Sequence, residues 1–264
     1  MDKKLNYEKN YNQTKILYSK RVSELTSQKG KFATMVYISR YILNIIYLRI
    51  LVFFLQPFYH YLFDRYFFYN NNKIAYSMYK YIGSAPMGFY QERIIEIPLA
   101  KFFINNAKFS SCLEVGNVTP HHFKFSHEVI DKYEVGEGIV NEDITSYHFE
   151  RKYDLIISVS TLEHVGFDEL EREPNKVRKS LKNMLSALNT GGSVFVTVPC
   201  NYNPEVDEIV RSNEFNFNIY FYKQTKYNSW SQINKGTALE NMKNRAESPN
   251  KILAILILEN YTDK

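Results

Sequence analysis

Three apolar runs in the middle of this sequence carry acids or a glycine at their edges, a spacing suited to holding a nucleotide-like ligand. SSCLEVGNV contains Glu114 and Gly116, HEVIDKYE contains Asp131, and KYDLIISVSTLEHVGFDE contains Asp154, Glu163 and His164. A carboxylate two residues before a glycine suits a tight turn where backbone N–H groups approach a ligand. Glu114 then either receives a cationic group or anchors the loop. Asp131, closing its run, either accepts hydrogen bonds from ribose hydroxyls or is an exposed turn carboxylate. Asp143, in NEDIT, either caps a turn or binds an exocyclic amine. His121, His122, His127 and His148 do not form a familiar metal-ligand spacing, and neighbouring histidines on a helix point to different sides. No metal is expected. No G-x-S-x-G elbow and no phosphate-binding G-x-x-x-x-G-K-[ST] is present.

Such chemistry needs parallel strands whose C-terminal ends converge. The pattern predicts strands over Ser111–Val115, Glu128–Asp131, Gly138–Asn141, Asp154–Ser160 and Ser193–Val198. Phe217–Lys223 and Leu253–Glu259, the latter within the nearly continuous apolar run LAILILE, complete seven. A helix is expected over ERIIEIPLAKFFINN, interrupted at Pro98, and another over Asn175–Leu188. Asn189–Gly192 reads as a helix stop followed by a turn. On this reading Glu114, Asp131 and Asp154, with Gly116, crowd the ligand-binding edge.

A chain of 264 residues with 45% hydrophobic content can bury a sizeable core. Its net charge of +5 is unevenly spread: residues 1–93 hold 14 Lys/Arg against 5 Asp/Glu, and the remainder 19 against 23. A basic, aromatic front thus precedes a mildly acidic α/β body, which points to an anionic surface as partner, either membrane or nucleic acid. Nucleic acid is the weaker idea, because the aromatic residues outnumber the charges and look buried. Two cysteines, Cys112 and Cys200, form no disulfide framework and favour a reducing cytosol. Residues 1–31 form a polar, Lys-rich arm without an apolar core, so no signal peptide is expected.

Residues 32–69 are apolar and aromatic with sparse charge. The longest uncharged stretch, Ile50 to Phe63, has 14 residues, short of the roughly 20 needed to span a bilayer. Arg49, Gln56, His60 and Asp64 fall on one stripe at helical spacing, giving a helix with a polar edge. Docking on protein, lying in a membrane interface and spanning are the three alternatives. Residues 70–91 read as a loop or linker, and residues 92–264 as one domain.

The ordered set EVG, VID, EDI, YDLIISVSTLEHV and LNTGGSVFVTVP resembles the class I S-adenosylmethionine-dependent methyltransferases, in particular the branch with L-E-H-V after the fourth strand. The match covers roughly residues 92–200. It implies a Rossmann-like α/β sheet of about seven strands, here with an N-terminal helical extension, and S-adenosyl-L-methionine as cofactor. It places Glu114 and Gly116 in the methionine-binding turn, Asp131 at the ribose, and Asp143 with Ile144 beside the adenine. Ser158 to His164 would run along the cofactor and acceptor side, with His164 as general base and Glu163 as its neighbour. Tyr202, Asn203 and Trp230 could line an acceptor pocket.

The sequence departs from the family in its first turn, where E/D-x-G-x-G-x-G becomes EVGNVTP. Val118 and Pro120 stand at the later glycine positions, and a β-branched residue resists positive φ. The short distance from Glu114 to Asp131 also requires a brief or distorted first crossover. The expected activity is methylation of a small-molecule or glycan- or lipid-linked acceptor by a cytoplasmic protein, peripheral to the inner membrane face if its front docks there. The alternative is a non-catalytic binding or scaffold protein, in which Val118 or Pro120 fills the pocket beside Gly116.

Overall fold

The computed structural model describes residues 66–76, 92–169, 171–225, 229–243 and 251–262, with isolated positions between 26 and 43. A hairpin comes first, β1 (Tyr66–Tyr69) and β2 (Asn72–Ala75). Asn70 and Asn71, both at positive φ, form its two-residue turn. Helix α1 (Arg93–Asn106) leads into β3 (Cys112–Val115), β4 (Glu128–Ile130), β5 (Ile139–Val140) and β6 (Tyr153–Val159). Then follow α2 (Lys176–Ser186), β7 (Leu188–Pro199), α3 (Pro204–Ser212), β8 (Asn218–Gln224), β9 (Trp230–Ile233), α4 (Lys235–Lys243) and β10 (Ile252–Leu258).

The expected Rossmann-like sheet is present, with eight strands in the order β5-β4-β3-β6-β7-β10-β8-β9. Strands β3 to β7 are parallel, whereas β10 runs antiparallel to both β7 and β8. The chain winds outward from β3 in one direction through β4 and β5, then returns to β6 on the other side. That reversal opens a crevice beyond the C-terminal ends of β3 and β6, the usual ligand position in open α/β sheets.

Alternation along the central strands divides the core into two layers. Ile156, Val194, Val196 and Leu256 face α2, α3 and α4, packing with Leu181, Met184, Ile209 and Met242. Leu155, Ile157, Phe195, Leu253 and Ile255 face the other way, against α1 and the hairpin, where they meet Ile95, Leu99, Phe103 and Phe67. Burial on both faces explains why these strands read as continuous apolar runs.

The first crossover is indeed brief: between β3 and β4 the helical content is one 3₁₀ turn, Thr119–His121. Val118, Phe123 and Phe125 cover the sheet there in place of a helix. Phe125 also stacks on His127, with ring centroids 4.4 Å apart.

Several expectations need correction. Helix α1 runs through Pro98 without interruption. Asn189–Gly192 belongs to β7, not to a turn; Leu188 already pairs with Tyr153, and a register shift follows. Tyr66–Tyr69 is a strand rather than the end of a helix, and Asn72–Ala75 is its partner rather than linker. Phe67 and Ile74 place this hairpin in the domain's own core. The polar stripe Arg49–Asp64 lies outside the described residues, among which no helix is long and apolar enough to cross a membrane.

Ile255 lies at the centre of β10, fully buried and paired with Thr197 and Tyr220. Ile255→Ala removes packing from the most enclosed layer of the sheet. The expected loss is about 2–5 kcal/mol of unfolding free energy, read from urea denaturation as a lower midpoint with an unchanged slope.

Candidate functional site

A cleft of about 450 Å³ lies at the crevice between β3 and β6, the size of a small-molecule site. Its apolar lining is Val115, Ile130, Ile144 and Val165, one or more from each converging segment. Around these stand Arg93, Gly116, Asp131, Lys132, Glu134, Glu142, Asp143, Ser160, Thr161, His164, Asp168 and Glu169. Gly116, Asp131, Asp143, Ile144 and His164, singled out from sequence, are therefore brought to one cavity. Glu114, Ser158 and Glu163 are not among its lining residues.

Glu114 is fully buried beneath the first turn and serves as its anchor. Its carboxylate accepts from the Val118 and Thr119 backbone N–H groups at 3.1 and 2.8 Å, and from the Thr119 hydroxyl. His127 Nε2 contacts the same carboxylate at 2.6 Å. Of the two roles left open by the sequence, these contacts display the loop anchor. Gly116, at φ +90°, leaves the turn open; a Cβ there would lie 2.1 Å from Thr161 Oγ1. Val118 packs into the layer below the sheet, and Pro120 is exposed, so neither fills the cleft.

Asp131 ties the second strand's loop to the first turn. Its Oδ1 accepts from the Tyr133 and Glu134 N–H groups at 2.8 and 2.7 Å, and its Oδ2 from Asn117 N at 2.9 Å. A carboxylate has about four acceptor positions, so one remains for a ligand hydroxyl. Asn117 Nδ2 in turn donates to Glu134 at 2.7 Å, fixing a second acid at the cleft.

Asp143 sits in a ring of charge. Its Oδ2 lies 3.0 Å from both Lys132 Nζ and Lys176 Nζ, and Glu169 Oε2 lies 3.0 and 2.7 Å from the same two ammonium groups. Burial opposes ionisation, yet bonds from Thr145, Lys132 and Lys176 hold the Asp143 carboxyl well below the ordinary aspartate range. The carboxylate is committed to these cations; Ile144, buried beside it, supplies the apolar wall.

Ser158 is fully buried within β6, where its hydroxyl donates to the Val115 carbonyl at 2.9 Å. It joins two strands and does not reach the cleft. Asp154 lies at the opposite edge of the sheet, near the start of β6, and accepts from Ser110 N and Ser111 N at 2.8 and 3.0 Å. Asn203 caps α3 by accepting from Glu205 N at 2.9 Å, and Trp230 is buried in the core. Of the three residues considered for an acceptor pocket, Tyr202 alone touches the candidate base, its ring 5.1 Å from that of His164.

Another wall of the cleft forms just after β6. Ser160 takes φ +40°, and its hydroxyl donates to the buried Glu96 of α1. Arg93 holds this corner by donating to the Val159 and Ser160 carbonyls at 2.8 and 3.3 Å. His164 follows on a 3₁₀ turn, half exposed, with Nδ1 2.6 Å from Asp168 Oδ2. Glu163 faces inward; burial pushes its carboxyl up to about 8, and its Oε2 has no hydrogen-bond partner. The acids and cations around this site, Lys132, Lys176, Glu169, Glu96 and Asp168, went unnoticed in the sequence. Only Asp168 had a local signal there, its i+4 spacing from His164.

No protein-family model matches the sequence, and no curated protein matches it. Among solved structures, the chain is similar to the N-methyltransferase NodS from Bradyrhizobium japonicum, in complex with S-adenosyl-L-homocysteine. The identity is 14%, over 65% of this chain and 88% of that one, with a TM-score of 0.36. It is also similar to an S-adenosylmethionine-dependent methyltransferase from Clostridium acetobutylicum, at 12% identity over 62% and 89% of the two chains and TM-score 0.34. An rRNA methylase from Streptococcus thermophilus matches at 11% identity over 62% and 97%, with TM-score 0.36. At these TM-scores the likeness carries no argument; the strand order and the cleft do.

Two outcomes follow from this geometry. Gly116→Ala must displace Thr161 and strain a positive φ, so a loss of about 1–3 kcal/mol is expected by urea denaturation. Glu163 has its folded-state pKa raised from 4.5 to about 8, so its contribution to stability is full below 4.5 and is lost as pH rises toward 8. Glu163→Gln removes that slope. Its urea midpoint, relative to wild type, should climb steadily between those two pH values; a constant difference would contradict a buried neutral carboxyl.

Proposed function

We propose that this chain is an S-adenosylmethionine-dependent methyltransferase acting on a small-molecule or glycan- or lipid-linked acceptor. The observation that carries the proposal is the open cleft beside Gly116, at the point where the strand order reverses. In a scaffold that had lost its cofactor, Val118 or Pro120 would fill this space; neither lines it.

The residues present suit the cofactor. Ile130, Ile144 and Val165 offer an apolar slot for a flat base, and the free acceptor position on Asp131 suits a ribose hydroxyl. The turn at Gly116, braced from below by Glu114, brings backbone close enough to receive the amino-acid end. When bound, the cofactor supplies an electrophilic methyl group on a sulfonium. Methyl transfer depends chiefly on positioning, so the role of this chain's residues is to orient and to manage one proton. Thr161 and Ser160 shape the wall beside the strand ends, and His164 presents an imidazole from the same wall. Glu163, neutral and buried behind it, leaves the cleft free of one more negative charge. The excess of Lys and Arg over residues 1–93 supports an acceptor presented at an anionic surface, such as the inner face of a membrane.

Calorimetry on the full chain with S-adenosylmethionine and S-adenosylhomocysteine tests this. Wild type should bind both, and Asp131→Ala should bind each at least about tenfold more weakly, roughly 1.4 kcal/mol. Failure of both ligands to bind wild type at millimolar concentration would remove the proposal.

A further inference from the structure

His164 is held by more than its own turn. Its Nδ1 faces Asp168 Oδ2 at 2.6 Å, and the Tyr202 hydroxyl donates to that same oxygen at 2.5 Å. Tyr202 comes from the loop after β7, so the carboxylate is fixed from two separate elements of the fold. The Tyr202 ring also meets His164 edge-on, and Phe167 packs against Tyr202 with centroids 5.6 Å apart. Arg172 stacks over Phe167 at 4.4 Å, extending this wall outward.

An ionised carboxylate can only accept, so the imidazole nitrogen facing Asp168 must carry the hydrogen. In neutral His164 the lone pair is then on Nε2. Glu163 Oε1 lies 3.5 Å from Nε2, too far for a good hydrogen bond. We propose that Asp168, held in place by Tyr202, is a positioning residue that fixes His164 as the Nδ1–H tautomer and leaves Nε2 to take the proton from the acceptor.

The logic is that of an acid orienting a catalytic histidine, here built on one turn and one distant tyrosine. Its use in methyl transfer rests on the function proposed above, whereas the tautomer does not. The charged and titratable groups around the ring are Asp168 and Glu163 from its own segment, Arg93 from α1, and Tyr202 from the loop after β7. Burial disfavours the imidazolium and Arg93 opposes it, but the hydrogen bond and charge of Asp168 raise the His164 pKa above its ordinary value.

The test is long-range ¹H–¹⁵N NMR of the His164 ring in the full chain across neutral pH, for wild type, Asp168→Asn and Tyr202→Phe. Neutral wild-type His164 should show a protonated Nδ1. Asp168→Asn should lower its titration midpoint by about one pH unit. Tyr202→Phe, which leaves the carboxylate with one donor fewer, should not lower it. A merely structural pair would not produce this difference between the two variants. A wild-type Nε2–H tautomer, or a midpoint unmoved by Asp168→Asn, would overturn the proposal, and the wild-type measurement stands even if a variant folds poorly. Calorimetry with S-adenosylhomocysteine on the same samples separates the two ideas. Binding with the wrong tautomer sinks only this one; no binding with the right tautomer sinks the methyltransferase function and leaves the positioning intact.

Discussion

The site depends first on the carboxylate of Glu114. Fully buried, it would be costly to leave unpaired, and the first turn repays that cost by directing two backbone N–H groups and the Thr119 hydroxyl onto it. His127 completes the set from the start of the next strand and also contacts the Phe125 carbonyl at 2.9 Å. The turn therefore closes downward, around an acid, and its other side is left to Gly116 and the cleft. In this arrangement Val118 needs no positive φ. Its backbone is right-handed, and its side chain joins Phe123 and Phe125 in covering the sheet where the first crossover has no full helix.

The same constraint recurs around the rim, with a different solution at each strand end. Asp131 is satisfied by backbone N–H groups and thereby ties the second loop to the first turn. Asp143 and Glu169 alternate with Lys132 and Lys176 in a closed ring that links the loops after β4, β5 and β6 to α2. Removing one member would strand a partly buried charge, the circumstance in which an ion pair matters most. Glu96 and Glu163 lie in the interior, and burial raises the pKa of both. The cleft is thus framed by acids, but most are committed to neighbours, and the groups left for a ligand are few.

Strand positions were largely legible because the sheet is buried on both faces and its runs are apolar throughout. β6 and β10 are each within a residue or so of their expected limits. The errors fell where local chemistry and tertiary context disagreed. Asn189–Gly192 has the composition of a turn, yet it lies within β7 as an irregularity between Leu188 and Ser193, which pair with β6 on either side of it, and Gly191 and Gly192 bond with Tyr261. The hairpin at Tyr66–Ala75 lay inside a stretch whose aromatic density matched that of the residues before it, and its Asn-Asn turn was the available signal. The i+4 spacing of His164 and Asp168 was likewise visible, but Tyr202, 34 residues further on, was needed to give the acid a fixed orientation.

Apolar runs that stop at Glu114, Asp131 and Val159 were sufficient to place a parallel sheet and one converging edge. That is because the period and extent of hydrophobic burial are written locally in the chain. The side that each acid faces is not written there. Glu114 and Asp131 both close parallel strands, yet one points into the turn and the other lines the cleft. Glu163 and His164 are adjacent, yet one is buried and neutral while the other is open to ligand. These outcomes depend on which donors packing brings within hydrogen-bond distance, from residues tens of positions away, and on how much water packing leaves beside each carboxyl.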